Sequence, residues 1–293
     1  MLLSVIIPTC NRHDFLGKCL NLLAPGFQTL SSDQYHVVVT DDGKQAPARA
    51  MMAEKYAWAQ WVEGPLKGPA SNRNNGVKYA RANWIVFLDD DCLPANDILA
   101  TYQTYILNNP DIEVLEGKIE RCQNRKSILE YAPCNYNGGN LWSCNFAIQR
   151  AAFDEVGGFD ENFRFAHLED TDLKKRIDAT GRKILFANEA IVLHPWRKLN
   201  GNSMGRNEEM SVYFSSKYGH NATFVNYLKR ITGHHLHMLK RTLFSAEIFT
   251  AIKITSQHLG VVLFNFHKWK KKYPIALSAE ITNKQTQEKG ADQ

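Results

Sequence analysis

Residues 84–92 read WIVFLDDDC, an apolar run that ends in three consecutive aspartates. The run from Trp84 to Leu88 has no alternation of polar and apolar positions, which is typical of a parallel strand covered on both faces. Two similar runs precede it, LSVIIP at Leu3–Pro8 and YHVVVT at Tyr35–Thr40, and helix-like stretches separate the three. This strand–helix–strand order predicts right-handed crossovers and a parallel sheet.

Aspartates follow two of these strands where each strand ends: Asp41, Asp42, Asp89, Asp90 and Asp91. Ligands of an open parallel sheet bind outside the carboxyl ends of its strands, so we expect these five carboxylates to share one edge. Unpaired carboxylates would repel one another, and positive charge should therefore lie among them. Hard oxygen ligands favour Mg²⁺ or Mn²⁺ over zinc.

Structural interpretations of the same aspartates remain open. Asp41 or Asp42 could start a turn, since D-D-G is a good turn sequence. The triple aspartate could supply the N-cap of a helix predicted to begin at Pro94, although three acids exceed what one cap requires. Neither phosphate-binding motif built on glycine occurs, because VIIPTCNR stands at 5–12 and no G-x-x-x-x-G-K-[ST] is present. This argues against a dinucleotide oxidoreductase and a P-loop NTPase.

Six segments resemble, in this order, the family-2 glycosyltransferases of GT-A fold: SVIIPTCNR (4–12), VVVTDDG (37–43), GPASNRNNG (68–76), WIVFLDDDC (84–92), VGGFDENF (156–163) and HLEDTDLKKRI (167–177). The resemblance covers roughly residues 3–200, with Cys10 where the family often has Tyr or Phe. It implies an α/β fold whose mostly parallel central sheet is flanked by helices. It also implies inverting transfer of a sugar from a nucleotide-diphosphate sugar, most often a UDP-sugar, to an acceptor hydroxyl.

The resemblance assigns donor-binding roles to residues near the strand ends. Pro8, Thr9 and Arg12 would line the base and ribose pocket. Asp42 would hold the base or ribose, and Arg73 would approach the base or the diphosphate. For Arg73 the alternative is an exposed position on a helix.

The same resemblance places Mn²⁺ or Mg²⁺ at a D-x-D motif formed by Asp89 and Asp91. Asp91 would contact the metal directly, while Asp90 and Asp89 would reach the ribose or metal-bound water. His194, in VLHPWR, resembles a late histidine that some members use near the metal or diphosphate. A structural role for His194 is the alternative.

On the acceptor side, the resemblance implies that Asp170 of the Glu169–Asp170 pair is the general base. Helix capping is the alternative for both carboxylates. Asp172 is expected at the surface or in a supporting position. Gly139 and Trp142 fall where the family forms its acceptor-side wall, although Trp142 could equally be ordinary core.

The chain is predicted to divide into a catalytic domain and a basic helical extension. We expect a catalytic domain at 1–215, with nucleotide-binding (1–92) and acceptor-binding (93–215) halves. An extension at 216–277 and a disordered polar tail at 278–293 would follow. Between 229 and 272, nine Lys and Arg residues face only Glu247. This segment could contact an anionic membrane or simply cap the catalytic domain.

Composition gives the remaining expectations. The net charge of +5 among 293 residues does not by itself indicate nucleic acid. The six cysteines form no C-x-x-C pair, no signal peptide is recognisable, and no run approaches a membrane span. We therefore expect a cytoplasmic protein whose partners are a nucleotide-sugar donor and a carbohydrate or glycolipid acceptor. Peripheral attachment to the inner face of the cell membrane is an open alternative. A nucleotide-sugar-binding protein without transfer activity and a Mg²⁺-dependent nucleotidyltransferase are the competing functions.

Overall fold

The structure is a computed structural model that describes residues 3–44, 47–220 and 223–275. It divides into two compact units, Met1–Lys126 with Glu130–Arg197 and Ser127–Leu129 with Lys198–Gln293. The predicted boundary at 215 falls inside a helix of the second unit, Gly201–Lys217. The tail predicted at 278–293 lies outside the described residues. Among the helices of the described chain, none is long and apolar enough to cross a membrane.

The first unit alternates strands and helices. Its strands are β1 (Leu3–Thr9), β2 (Tyr35–Asp41), β3 (Gln60–Glu63), β4 (Trp84–Leu88), β5 (Leu93–Pro94), β6 (Val114–Arg121), β7 (Glu130–Tyr131), β8 (Asn145–Gln149) and β9 (Ile184–His194), and β10 (Arg197–Lys198) follows at the border of the unit. Its helices are α1 (His13–Leu23), α2 (Arg49–Lys55), α3 (Pro69–Val77), α4 (Ile98–Asn108), α5 (Arg150–Glu155) and α6 (Glu169–Ala179).

A central sheet in the described chain has the strand order β3-β2-β1-β4-β8-β6-β9-β5. The first four strands are parallel, β8 is antiparallel to both of its neighbours, and β6 and β9 are parallel again. Strands β1, β2 and β4 are buried along their whole length, as their unbroken apolar runs predict. The predicted α/β class, with a mostly parallel sheet flanked by helices, is confirmed.

The helix predicted to begin at Pro94 begins later. Leu93 and Pro94 pair as a short strand with Leu193 and Val192 of β9, and α4 starts only at Ile98. A proline is tolerated there because β5 is the edge strand of the sheet, where one missing N–H breaks no ladder. The aspartates at 89–91 therefore do not cap this helix.

The second unit contains α7 (Gly201–Lys217), α8 (Phe224–Thr242) and α9 (Ile248–Lys272), which confirms the predicted helical extension. Side-chain caps mark two helix starts, because Asn200 accepts from the Ser203 amide and Thr223 from the Asn226 amide. One apolar cluster joins the three helices: Val212, Tyr227, Ile231, Val262, Phe266 and Trp269.

Candidate active site

The strand ends bring the aspartates after β4 against the residues after β1. Thr9 Oγ1 donates to Asp90 Oδ2 at 2.7 Å, although the two residues are 81 positions apart. Asp90 is fully buried. Burial raises the pKa of Asp90 to about 7, against the opposing effects of Arg12 and of the Thr9 hydrogen bond.

Arg12 and Arg197 supply positive charge beside Asp90 and Asp91, as expected among these carboxylates. Arg12 Nε donates to Asp90 Oδ2 at 3.1 Å, and Arg12 Nη1 lies 3.3 Å from Asp91 Oδ2. Arg197 pairs with the same oxygen of Asp91. Arg197 is not among the residues predicted from the sequence, although a basic residue three positions after His194 is a usable signal. Arg12 lies against the carboxylates, and its predicted place at the base and ribose stays a prediction.

Arg73 is buried and bridges the two halves of the site. Its Nη2 donates to Asp89 Oδ1 at 2.7 Å and its Nη1 to Glu169 Oε1 at 3.2 Å. The guanidinium also lies 5.4 Å from the ring centroid of Phe159. Only 3% of Arg73 is exposed, so the alternative of a surface helix residue is wrong.

The Arg73 contacts affect its two carboxylate partners differently. At Asp89, burial alone would raise the pKa, but Arg73 and Arg197 outweigh it and the pKa is lowered. At Glu169, burial and the neighbouring charge of Asp170 raise the pKa to about 8 despite Arg73.

Helix α3, which carries Arg73, packs polar side chains onto the ends of the strands. Asn72 Nδ2 donates to the Thr40 carbonyl at 2.9 Å, and Asn75 Nδ2 donates to the Glu63 carbonyl at the same distance. At Gly76, a Cβ atom would lie 2.5 Å from Ile6 Cγ2, so only glycine permits this approach of helix to sheet. The asparagines and glycine of GPASNRNNG thus hold Arg73 in place.

Asp170 lies in the first turn of α6 with one carboxylate oxygen held and the other free of protein donors. Its Oδ2 accepts from the Ser143 amide at 3.0 Å. Its Oδ1 is buried and has no hydrogen-bond partner in the described part of the chain. Burial raises the pKa of Asp170, with Arg73 acting against the change. Leu168 occupies the N-cap position and no side chain caps the helix, so Asp170 is not the cap. Its place in the first turn is still favourable for the helix dipole, as the structural alternative expects.

A buried carboxylate that the sequence analysis did not single out organises the loop before Ser143. Glu116, on β6, accepts from the amides of Gly139, Asn140 and Leu141 at 2.6–2.7 Å and from Asn135 Nδ2 at 2.6 Å. Only 2% of Glu116 is exposed. The predicted acceptor-side loop is therefore anchored on one carboxylate.

The donor atoms at the D-x-D motif fit a hard divalent cation. Asp91 Oδ1 is buried with no hydrogen-bond partner in the described residues, and it lies 3.6 Å from His194 Nε2. His194 Nδ1 donates to the Pro195 carbonyl at 2.9 Å, which leaves the lone pair on Nε2. Arg197 Nη2 donates to that nitrogen at 3.1 Å, so a cation bound there would take the place of Arg197. Ligand atoms of Asp91, Cys92 and His194 lie within 4.8 Å of one another, but Cys92 Sγ donates to the Cys144 carbonyl. The Asp91 carboxylate suits Mn²⁺ or Mg²⁺, and the imidazole beside it, a softer ligand, favours Mn²⁺ of the two.

Asp41, the last residue of β2, and Asp42, which follows it, both bind backbone amides. Asp41 accepts from Gly43 N at 2.8 Å and Ala48 N at 2.6 Å, which favours the turn interpretation for this residue. Asp42 accepts from Leu66 N at 2.8 Å and Gly68 N at 3.1 Å. Burial raises the pKa of Asp42 in spite of these two bonds. Its predicted contact with base or ribose stays a prediction.

The remaining residues predicted for the site lie in β1, on the loop anchored by Glu116 or against the core. Pro8 is buried within β1, and Gly139 is exposed on the loop anchored by Glu116. Trp142 is partly buried and packs against the main core, as the core alternative expects. Asp172 was expected at the surface or in a supporting position; it is fully buried and lies 2.7 Å from Arg176 Nη2, so the surface expectation is wrong.

Similarity to known proteins identifies the class to which this fold and site belong. The model of glycosyl transferase family 2 matches residues 4–157, and a model described as the N-terminal domain of galactosyltransferase matches residues 123–194. The chain belongs to glycosyl transferase family 2.

Individual relatives agree with this class. Validoxylamine A glucosyltransferase of Streptomyces hygroscopicus subsp. limoneus is 27% identical over 234 residues, which cover 64% of this chain and 50% of the relative. Glycosyltransferase AglE of Haloferax volcanii is 24% identical over 216 residues, which cover 66% of this chain and 67% of the relative. The chain thus spans about half the length of the first curated relatives it matches.

Solved structures confirm the GT-A fold. S. aureus TarS 1–349 in complex with UDP-GlcNAc superposes with a TM-score of 0.57 at 17% identity, covering 94% of this chain and 82% of that one. Mannosyltransferase PcManGT from Pyrobaculum calidifontis, in complex with GDP-Man and Mn²⁺, has a TM-score of 0.53 at 16% identity and covers 96% and 86%.

Proposed function

We propose that the chain is an inverting glycosyltransferase that moves a sugar from a nucleotide-diphosphate sugar to an acceptor hydroxyl. The observation that carries the proposal is the Asp170 carboxylate. One oxygen is held by the Ser143 amide, and the other is buried and accepts no hydrogen bond in the described chain. Such an oxygen can take a proton from a bound hydroxyl.

For the donor we propose a nucleoside-diphosphate sugar, with UDP as the preferred nucleotide. A cavity of about 710 Å³ borders the loop of Leu66, Lys67 and Gly68, which Asp42 holds. A second cavity of about 530 Å³ lies at the ends of β2 and β3 beside Trp61. These volumes suit small ligands. The complexes of the two solved structures, with UDP-GlcNAc and with GDP-Man, support the same ligand class.

The proposed metal site consists of Asp91 and His194, with Asp89 beside them. When bound, Mn²⁺ or Mg²⁺ would supply positive charge that stabilises the leaving diphosphate. Arg12 and Arg197 would also stabilise the negative charge of the leaving diphosphate, because both guanidinium groups lie beside Asp91 at the proposed metal site. Asp90 binds Thr9 and Arg12, and we propose that these contacts hold the ends of β1 and β4 together. Its predicted contact with the ribose or with metal-bound water stays a prediction.

The proposed proton acceptor is Asp170 Oδ1. The Ser143 amide fixes the carboxylate, and the raised pKa makes it a stronger base than a solvated aspartate. Arg73 lies between Asp89 and Glu169 and keeps the donor-side and acceptor-side carboxylates at a fixed separation. Direct attack by the acceptor hydroxyl on the anomeric carbon would invert its configuration.

For the acceptor we propose a carbohydrate or glycolipid of surface polysaccharide or glycolipid synthesis, approached through the loop of Gly139 and Trp142. The name of one relative, poly(ribitol-phosphate) beta-glucosyltransferase of Bacillus spizizenii, supports this class; it is 28% identical over 131 residues. We also propose peripheral membrane contact through residues 229–272, where basic residues outnumber the single acid.

The test compares Asp170→Asn with Asp178→Asn, a matched change at an exposed position of the same helix. Turnover of UDP-sugars with Mn²⁺ and the dissociation constant of UDP are measured for each. Asp170→Asn should lower turnover by roughly 10²–10⁴ with nearly unchanged UDP affinity, because Asn keeps the shape but loses the basicity. Asp178→Asn should leave both values unchanged. Full turnover in Asp170→Asn would refute the assignment of the base.

A further inference from the structure

The helices α8 and α9 of the second unit are apolar on two sides. Their inward side chains build the cluster that includes Ile231, Val262 and Phe266. A helix with one packed face should be polar on the other. Here the outward side also carries large apolar residues, concentrated around the turn between the helices and along α9.

The outward apolar side chains include three strongly exposed phenylalanines. Phe244 is 99% exposed, Phe264 81% and Phe249 80%. Leu243, Ile252 and Leu263 are also about half exposed. Along α9 the exposed positions recur at helical spacing, so they form one stripe on the helix surface: Phe249, Ile252, Lys253, Ser256, Leu263, Phe264, His267, Lys268 and Lys271.

The charge of this surface has one sign. The described segment 223–275 contains nine Lys and Arg residues and a single acid, Glu247. Glu247 accepts a hydrogen bond from Ser127 Oγ. The stripe on α9 contains Lys253, Lys268 and Lys271 and no carboxylate. An apolar surface with a basic surround is complementary to an anionic, partly apolar partner.

We propose that the outward faces of α8 and α9 dock on an anionic lipid membrane. The phenylalanines would enter the boundary between headgroups and acyl chains while the lysines and Arg241 pair with lipid phosphates. A fluid interface accepts separate projecting side chains such as Phe244 and Phe264, whereas a folded protein partner would need a pocket for each. These helix faces would make the membrane contact proposed above for residues 229–272, on which the assignment rests, and the docking does not depend on sugar transfer.

The experiment is co-sedimentation of the full chain with vesicles. Vesicles of phosphatidylcholine with phosphatidylglycerol are compared with pure phosphatidylcholine, at low and high salt. We expect binding to the anionic vesicles at low salt and much weaker binding to the neutral ones. Salt should release the protein because headgroup attraction is screened. Absence of binding to anionic vesicles at low salt, or equal binding to both kinds, would overturn the proposal.

Two paired substitutions locate the surface. Phe244→Ser with Phe249→Ser should weaken vesicle binding roughly tenfold, and Phe27→Ser, at an exposed phenylalanine of the first unit, should not. Lys253→Gln with Lys268→Gln should weaken it by roughly 30-fold at low salt, and the same change at Lys78 and Lys183 should have less effect. Circular dichroism checks that the helices remain folded.

Other occupants of this face give different results. If the phenylalanine variants bind vesicles normally, the proposed surface is wrong. If the protein instead self-associates without lipid, and those variants abolish the self-association, the face is an interface between copies. Donor turnover without vesicles should be the same in wild type and phenylalanine variants, so loss of the membrane proposal and loss of the transferase proposal are distinguishable.

Discussion

Glu116 shows at the scale of one residue how a buried charge can shape an active site that it does not enter. Its carboxylate binds three consecutive backbone amides and Asn135, and two residues beyond this loop the Ser143 amide holds Asp170. A carboxylate surrounded only by donors is strongly stabilised, because each bond to a charged group is worth roughly 1.5–3 kcal/mol.

We predict that Glu116→Gln lowers transferase turnover about tenfold while UDP affinity stays within a factor of two of wild type. The amide group of Gln would turn a donor toward backbone N–H groups, and the loop before Ser143 would shift. The matched control is Glu120→Gln on the same strand, where a partly exposed pair with Lys118 is lost and little should change. Equal kinetics for Glu116→Gln and wild type would contradict the prediction.

At the scale of elements, long apolar runs were predictable and short pairings were not. The strand at Trp84–Leu88 was predicted with the bounds that the structure has. The apolar residues at 183–187 and 190–193 predict two short strands, whereas the structure has one strand, β9, with an irregularity. Gly117 pairs with Ala187 but Lys118 pairs with Ile191, so the three residues of β9 between them have no ladder partner in β6. A bulge depends on the neighbouring strand, which local sequence does not reveal.

Two glycines in the helices of the second unit should respond in opposite ways to substitution by alanine. A Cβ atom on Gly205 of α7 would lie 2.5 Å from Val261 Cβ of α9, whereas one on Gly233 of α8 meets nothing within 4 Å. We predict that Gly205→Ala destabilises the protein by about 2 kcal/mol through overpacking. Gly233→Ala should stabilise it by up to about 1 kcal/mol, because alanine is the better helix former. Urea denaturation measures both, and a stabilising Gly205→Ala would show that the α7–α9 packing is wrong.

A buried histidine pair gives this unit a predictable dependence on pH. His235 Nε2 lies 3.0 Å from His258 Nδ1, and Thr255 Oγ1 lies near His235 Nδ1. On the far side of the pair, His258 Nε2 faces Glu208, which pairs with Arg230. Burial, followed by the charges of His258 and His234, lowers the pKa of His235 to about 4. The unfolded chain, with an ordinary pKa of about 6.5, binds the proton first as pH falls.

The stabilisation from neutral His235 should therefore be complete above about pH 6.5 and decline as pH falls toward about 4. Urea midpoints at about pH 7.5 and about pH 5 test this. In His235→Gln the difference between the two midpoints should shrink, whereas the exposed control His237→Gln on the same helix should keep it. An undiminished difference in His235→Gln would assign the pH dependence to other groups.

At the scale of the whole molecule, donor and metal should bind together. The carboxylates after β4 would repel a bound diphosphate, and a cation that takes the place of Arg197 at Asp91 and His194 would reduce that repulsion. We predict that UDP with Mn²⁺ raises the unfolding temperature by roughly 5 °C, more than the sum of the shifts with either alone. Thermal denaturation with UDP, GDP and Mn²⁺, singly and combined, measures this. In Asp91→Asn the combined shift should vanish, and a shift of wild-type size there would contradict the metal assignment.

The sequence by itself determined the strands that carry the site and the position of the carboxylates on them. Unbroken apolar runs can be satisfied only as strands buried on both faces, so β1, β2 and β4 and the aspartates after them follow from local pattern. Six ordered motifs then identified the family, which the family model confirms over residues 4–157.

Only the tertiary structure decided which charges meet. Arg73 reaches Glu169 across 96 positions of the chain, Arg197 reaches Asp91, and Glu116 collects the amides of a loop more than 20 residues away. The free energy of such contacts depends on how deeply the charged groups are buried and on which partners the sheet brings next to them. Neither the burial nor the partners can be deduced from neighbouring residues in the sequence. The local sequence pattern therefore predicted that the aspartates lie at the strand ends. The arginines, amides and histidine that contact the carboxylates are determined by the tertiary fold.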